Sequence, residues 1–523
     1  MNPLLEVLLG SGTRLVQSFI AASPTFIVGL FIAAVLRYYF GDKGTRKLFG
    51  GETLKSLPQS WLIGMLLPVC SIGVLPILIQ MKRAGLKPGA MSAFALAAPL
   101  FNPLSLLYGL TLSRPLVIIL FAAGSLLIVT ALGLLWDMVS RGRDDAREIV
   151  TDEAESLIGL RRLLCMLTRM AKDATGAPLI LMLLALLGPA FLALFLDYGA
   201  MQNSVECDDV MAPLNMLAVA IPIYATPMLA MSQLGMMFQH ANSPGAAFNL
   251  LILGAGINLA TPVWFGLSFG WKKCATWLGC LVGIVIVFSY GVNKPLIPVG
   301  VTPAGHTHAF DIYTNPIPDQ AQKPLLLATE AVEKQVDLIA QIVLGIVVFL
   351  MIVGIICRMF RITDAAVARG AADAQSPKGN SPEGKLDFIV PRKVVGATML
   401  SGLVALSVVA CYAYYPSTDE CLEEIALARA ECLTAANSGD YEHALFWLPI
   451  WEEWSRKMEV GTFLRRGELR AYQSMQGYLI RKKLELLEHE LEHDPPEPPH
   501  VKAVIRSIFD TNRRWVASFR QKS

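Results

Sequence analysis

Cys70 is the residue with the most distinctive chemistry in the chain. It stands alone in an apolar run, WLIGMLLPVCSIGVLPILIQ, where Pro68, Gly73 and Pro76 interrupt any regular helix. A thiol in that setting can ligate a soft ion, or it can serve as a small apolar packing residue. Polar residues follow it at intervals: Ser71, then Asn102 and Ser105, with a second set at Thr226, Asn258 and Thr261. An asparagine in an apolar segment is costly unless hydrogen-bonded. Asn102 and Asn258 therefore cap or bridge broken backbone, or contact a solute. The hydroxyls either extend the same polar lining or bond the preceding helical turn. These seven residues are the candidate solute-binding set.

A second cluster lies in GHTHAFDIYTNPIPDQ. His306, His308 and Asp311 can ligate a divalent metal, because imidazoles suit zinc, copper or nickel and i, i+2 side chains share a face in extended chain. Two chance histidines on a surface loop are the competing account. Met228, Met231, Met236 and Met237, with His240, form either a soft-metal ladder or ordinary packing. No other cofactor is expected. The nine cysteines show no CxxC or zinc-ligand spacing, and no GxxxxGK[ST] phosphate loop occurs. Nothing resembles an acid–base or nucleophile set, so the sequence does not read as an enzyme.

The elements that position these residues are membrane spans. Of 523 residues, 54% are apolar and 16% charged, and the apolar ones fall in charge-free runs. A span needs ~20 residues. Candidate segments lie near 15–36, 61–81, 89–112, 115–136, 177–201, 212–238, 245–268, 274–291, 338–357 and 394–414. This is a polytopic membrane protein whose partners are a lipid bilayer and a small solute. The net charge of +2, without a basic aromatic patch, gives no sign of a nucleic-acid partner. No basic region precedes the first apolar run, so a cleaved signal peptide is not expected.

Lys and Arg mark cytoplasmic loops, and their distribution tests the topology. Lys43, Arg46, Lys47 and Lys55 precede segment 61–81, and Lys82, Arg83 and Lys87 follow it. A single crossing would put one of these loops on the wrong side. A re-entrant hairpin, with arms of ~10 residues and hence ~15 Å, puts both inside. The basic loop 139–176 also falls inside. Segment 212–238, broken by Pro222 and Pro227, is flanked by loops free of Lys and Arg, as expected of a hairpin entering from outside.

The two halves also align. GAMSAFALAAPLFNPLS lies over GAAFNLLILGAGINLAT, placing Asn102 on Asn258 and Ser105 on Thr261, and upstream PVCSIGVLPILIQ faces PIYATPMLAMSQ with a two-residue offset. The expected fold is all-α, an inverted repeat of span, re-entrant hairpin, span and span over residues 1–291. Such repeats, with broken helices at mid-membrane, characterise transporters. Neither hairpin nor its following span contains Asp, Glu, Lys or Arg. That absence weakens a proton relay. It favours a neutral solute, or an anion held by half-helix N-termini.

These residues resemble a known family. LPVCSIGVLPILIQMKRAGLKPGAMSAFALAAPLFNP is similar to the hairpin and following segment of the predicted-permease family that includes bacterial organoarsenical efflux permeases. Cys70, Ser71, Gly73, Pro76, Pro88, Gly89, Ala90, Pro99, Asn102 and Pro103 match its pattern, and Ile72 replaces its second cysteine. The resemblance covers roughly residues 15–291. It implies a permease of the bacterial inner membrane, exporting a thiol-seeking solute.

Beyond the repeat, 292–335 reads as an external loop carrying the histidines. Residues 336–414 add two spans around a cytoplasmic linker, 358–393, rich in Ala, Ser, Gly and Pro. Residues 415–523 are charged and helical in period, and read as a small α-helical domain outside the cytoplasm. That domain offers a surface for a periplasmic protein partner or for homo-oligomerisation. Cys421 and Cys432 on one helix would lie ~16 Å apart, too far for a disulfide. The alternative to a permease is a non-transporting sensor or assembly factor working through this domain.

Overall fold

The computed structural model describes residues 3–51, 55–101, 105–106, 109, 115–140, 159–198, 200–201, 205–297, 307, 309–317, 323–363, 366–367, 391–492 and 496–520. Among these the chain forms helices and turns without a strand. It divides into two compact units, Met1–Ala405 and Leu406–Ser523. Six helices among the described residues are long and apolar enough to cross a membrane: Leu4–Leu48, Leu116–Val139, Ala177–Phe195, Trp271–Asn293, Leu338–Met359 and Arg392–Tyr414. A bent pair, Pro244–Ala255 with Ala260–Phe269, makes a seventh if counted as one span.

In the first unit, α1 (Pro3–Val35) runs through a π-helical turn, Leu36–Phe40, into α2 (Gly41–Leu48). The interrupted segment becomes α3 (Ser56–Leu66) and α4 (Val74–Arg83), of 11 and 10 residues, separated by non-helical chain from Leu67 to Gly73. Pro68 and Gly73 lie in that break. Then come α5 (Pro88–Ala97) and α6 (Pro115–Ser140).

Leu57, at the start of α3, and Gly89, at the start of α5, both pack against Gly133 of α6. The chain between them therefore returns to the end from which it set out. That is the path expected of a hairpin.

The next elements are α7 (Gly159–Asp173), α8 (Ala177–Phe195), α9 (Ala212–Ala220), α10 (Pro227–Gln239) and α11 (Pro244–Asn249). α11 runs on through a π turn, Leu250–Ala255, and is followed by α12 (Ala260–Phe269) and α13 (Trp271–Asn293). Proline occupies the first or second position of α5, α8, α9, α10 and α11, where its missing N–H costs nothing. Pro213 and Gly245 meet at Ser289 of α13, repeating the Leu57–Gly89–Gly133 cluster at one constant sequence displacement.

α6 and α13 pack antiparallel. Trp136, late in α6, stacks edge-on against Trp277, early in α13, at 5.6 Å. Gly124, early in α6, faces Phe288, late in α13. A short helix, α14 (Pro324–Glu333), and the apolar α15 (Leu338–Met359) follow.

Two segments expected as continuous spans are broken. α5 ends at Ala97, and a turn occupies Ala98–Leu100. Segment 245–268 bends by 56° between Ala255 and Ala260. Charge-free runs of small residues, AFALAAP and LGAGIN, read as uninterrupted spans because neither contains a strong breaker until its end. In the second, the Asn258 side chain supplies what the lost helical turn would have supplied.

The second unit begins within α16 (Arg392–Tyr414) and contains α17 (Thr418–Ser438), α18 (Tyr441–Arg466), α19 (Ala471–Glu492) and α20 (Pro498–Arg520). Ser417 and Glu420 form a reciprocal capping box on α17, and Gly439 and Gly467 close α17 and α18 in the left-handed conformation. Trp451, Ile480, Leu484, Ile508 and Trp515 centre its core. Cys421 and Cys432 lie buried in that core as free thiols. Arg481 and Glu459 form a buried ion pair at 2.6 Å.

Candidate functional site

The two chain breaks meet at Cys70. Its sulfur accepts a hydrogen bond from the Tyr224 hydroxyl at 3.3 Å and one from the Gly73 amide at 3.5 Å. The Thr25 hydroxyl of α1 lies 2.7 Å away, with either atom as donor. Tyr224 occupies the break between α9 and α10, and Cys70 the break between α3 and α4. Both residues are buried. Backbone in such breaks cannot face lipid, and each is covered by a close-packed helix. A methyl group on Gly29 of α1 would overlap the Gly73 carbonyl, and one on Gly188 of α8 would overlap the Pro222 carbonyl. Glycine at these two positions lets a helix touch the unwound chain directly.

Two buried groups at the breaks lack partners among the described residues. The Ser71 hydroxyl and the Asn258 side-chain nitrogen make no hydrogen bond, although each residue is only 1% exposed. An unsatisfied buried polar group costs about 1–3 kcal/mol. Groups left in that state suit a ligand that satisfies them. The Asn258 Oδ1 is already committed: it accepts the amides of Ala260 at 2.9 Å and Thr261 at 3.1 Å, and the Thr261 hydroxyl at 3.3 Å. It caps α12 across the bend.

The remaining sequence candidates divide. Thr226 accepts the Leu229 amide at 3.2 Å and caps α10, two residues from Tyr224. Ser105 is buried. Asn102 lies outside the described residues. No hydrogen bond among the described residues joins Asn258 or Thr261 to Cys70. After α13, Asp311 opens a short 3-10 turn, and its backbone carbonyl accepts from Arg14. His306 and His308 lie outside the described residues, among which no group of three His, Cys, Asp or Glu side chains is disposed to hold a metal ion.

Sequence reasoning did not single out Thr25 or Tyr224, which touch Cys70, or Arg14, which holds the Asp311 carbonyl. Tyr224 was within reach, since the alignment of PVCSIG with PIYATP places it on Cys70. It also missed a paired device behind the breaks. The Gly89 amide donates to Asp137 Oδ1 at 2.9 Å, and the Gly245 amide donates to Asn293 Oδ1 at 3.1 Å. Gly89 and Gly245 are displaced by the same interval as Asp137 and Asn293.

Helices too apolar for water, with two breaks meeting at a buried thiol, define a polytopic membrane protein. A family model described as a predicted permease matches residues 14–294, more than half of the chain, and the chain belongs to that family. Over 91 residues it is 24% identical to the UPF0718 protein YcgR of Bacillus subtilis (strain 168), a match covering 17% of this chain and 31% of that relative. No solved structure matches the chain.

Proposed function

We propose that this protein is a transporter rather than an enzyme, exporting or exchanging a small solute by alternating access around the two breaks. The observation that carries this reading is the contact of Cys70 with Tyr224, which brings both breaks to one buried point. An inverted repeat is the proposed basis. It is supported by the antiparallel packing of α6 and α13 together with the recurrence of the Gly89 and Gly245 contacts late in each of those helices. Opposed half-helices around a central site are the architecture of alternating access.

The solute class follows from the lining. Every hydrogen-bonding partner of Cys70 named above is neutral, so the site suits an uncharged, thiol-seeking metalloid or a soft metal species. The protein would work in a bacterial inner membrane, with the second unit outside the cytoplasm and available to a protein partner. A divalent metal at His306, His308 and Asp311 remains part of the proposal for the external loop.

The test is accumulation of a trivalent organoarsenical in everted vesicles, with arsenite and zinc as comparison solutes. Cys70→Ser, Asn102→Ala and Asn258→Ala should abolish it, and deletion of 415–523 should modulate it at most. The reverse pattern would instead favour a sensor or assembly factor. That reading has one observation of its own: the second unit's independent core and buried ion pair.

A further inference from the structure

Residues Ala309–Ile317 do not behave as a surface loop. Connecting segments ordinarily run over the surface because buried backbone groups need partners. Here Ala309, Phe310, Tyr313, Thr314 and Ile317 are all buried, and the partners come from three different helical elements. From α1, the Arg14 guanidinium donates to the Thr314 carbonyl at 2.8 Å and to the Asp311 carbonyl. From α10, Gln233 donates to the Ala309 carbonyl at 2.8 Å and accepts the Tyr313 hydroxyl at 3.0 Å. At the end of α8, the Leu196 carbonyl accepts the Asn315 amide at 2.8 Å. Phe310 and Tyr313 fill the space between these anchors.

This segment is thus tied at once to α1, which carries Thr25 against Cys70, to α8, whose Gly188 covers the break holding Tyr224, and to α10, which follows that break. We infer that Ala309–Ile317 is the outer gate of the pathway, a strap that holds the closed state and must release before Cys70 can be reached from outside. The inference rests on the transport reading for its purpose, but its geometry can be tested without measuring transport. Any rearrangement that moves the halves apart on this side must break the Arg14 contacts or the Gln233 contacts. The anchoring hydrogen bonds are few and separable, as a releasable latch requires.

The experiment measures alkylation of Cys70 by a membrane-impermeant maleimide added outside right-side-out vesicles, in a variant retaining Cys70 as its single cysteine. Three changes unlatch the strap: Arg14→Ala, Gln233→Ala, and the milder Tyr313→Phe, which removes only a hydroxyl. Arg14→Ala and Gln233→Ala each remove two hydrogen bonds to the strap, and each should raise the outside rate about tenfold or more. Tyr313→Phe should raise it by a smaller factor while losing no more stability than one buried hydrogen bond and staying folded, which separates unlatching from unfolding. An unchanged outside rate in Tyr313→Phe and in whichever of the other two variants stays folded would overturn the gate. Variants that expose Cys70 in a protein moving no solute would leave the gate standing and count against transport alone.

Discussion

The Tyr224 hydroxyl donates to the Cys70 sulfur at 3.3 Å, joining chain breaks 154 residues apart. The alignment of PVCSIG with PIYATP sets Tyr224 opposite Cys70, two residues short of the displacement that relates Gly89 to Gly245. Their contact puts the pair at the centre of the proposed mechanism.

Tyr224→Phe should keep the ring packing and remove one bond to the thiol. A typical hydrogen bond contributes about 1 kcal/mol, so a loss of that order in detergent unfolding is expected, with faster alkylation of Cys70. Unchanged stability and unchanged reactivity would mean that the contact has no energetic role.

The helix-to-break contacts give a sharper contrast. Gly188→Ala and Gly73→Ala would force a methyl group onto a backbone carbonyl, whereas a methyl group on Gly279 or Gly283 meets nothing. Overpacking costs about 1–3 kcal/mol or more, while an exposed helical Gly→Ala change is favourable by up to about 1 kcal/mol. Thermal unfolding of the four variants should therefore separate into two groups of opposite sign.

Asn258 combines a cap with an unpartnered side-chain nitrogen, and substitution can separate the two. Asn258→Ala should cost about 1 kcal/mol through the lost cap. Asn258→Ser retains a capping oxygen and lacks the nitrogen. Near-parental stability with lost solute flux in the serine variant would assign the nitrogen to the solute, and full flux would assign Asn258 to structure alone.

In the second unit, Glu459 is 2% exposed and pairs with Arg481, and the Glu459 carboxylate fills the space where Gly477 lacks a side chain. Removing one member of a buried pair typically costs about 3–5 kcal/mol. Glu459→Ala should approach that figure, and the double change with Arg481→Met should recover much of it. Additive losses would show that the two groups are not coupled.

Burial also pushes the Cys421 and Cys432 thiols up to about 12, from an ordinary value near 9. The folded state then holds these protons more tightly than the unfolded state. Their contribution to stability is complete below the ordinary thiol pKa and is lost as pH rises from there toward 12. Both thiols should resist alkylation at pH 9 and react on denaturation. Rapid reaction of the folded protein at that pH would contradict the burial.

The parts of this architecture legible in the sequence are those that leave local marks. Pro68 and Gly73 announced the break between α3 and α4, because helix breakers act through their nearest neighbours. The helical period of residues 415–523 likewise announced a helical domain, which forms as α17 to α20. The bend in segment 245–268 was not expected, although Asn258 was read as able to cap or bridge broken backbone, and its Oδ1 does cap α12. The strap was read as an exposed histidine loop. Its burial depends on Arg14 and Gln233, distant residues whose partners are backbone carbonyls, and such contacts leave no sequence pattern.

The central claim is that the two hairpins enter from opposite sides and meet at Cys70 and Tyr224. The measurement that tests it most directly is side-resolved labelling of two single-cysteine variants, Arg83→Cys at the exit of the first hairpin and Val210→Cys at the entrance of the second. Both positions are exposed, Val210 at 71%. Labelling of Arg83→Cys only from the cytoplasm and of Val210→Cys only from outside is the predicted result. Labelling of both from the same side would contradict the inverted repeat and, with it, alternating access around this pair.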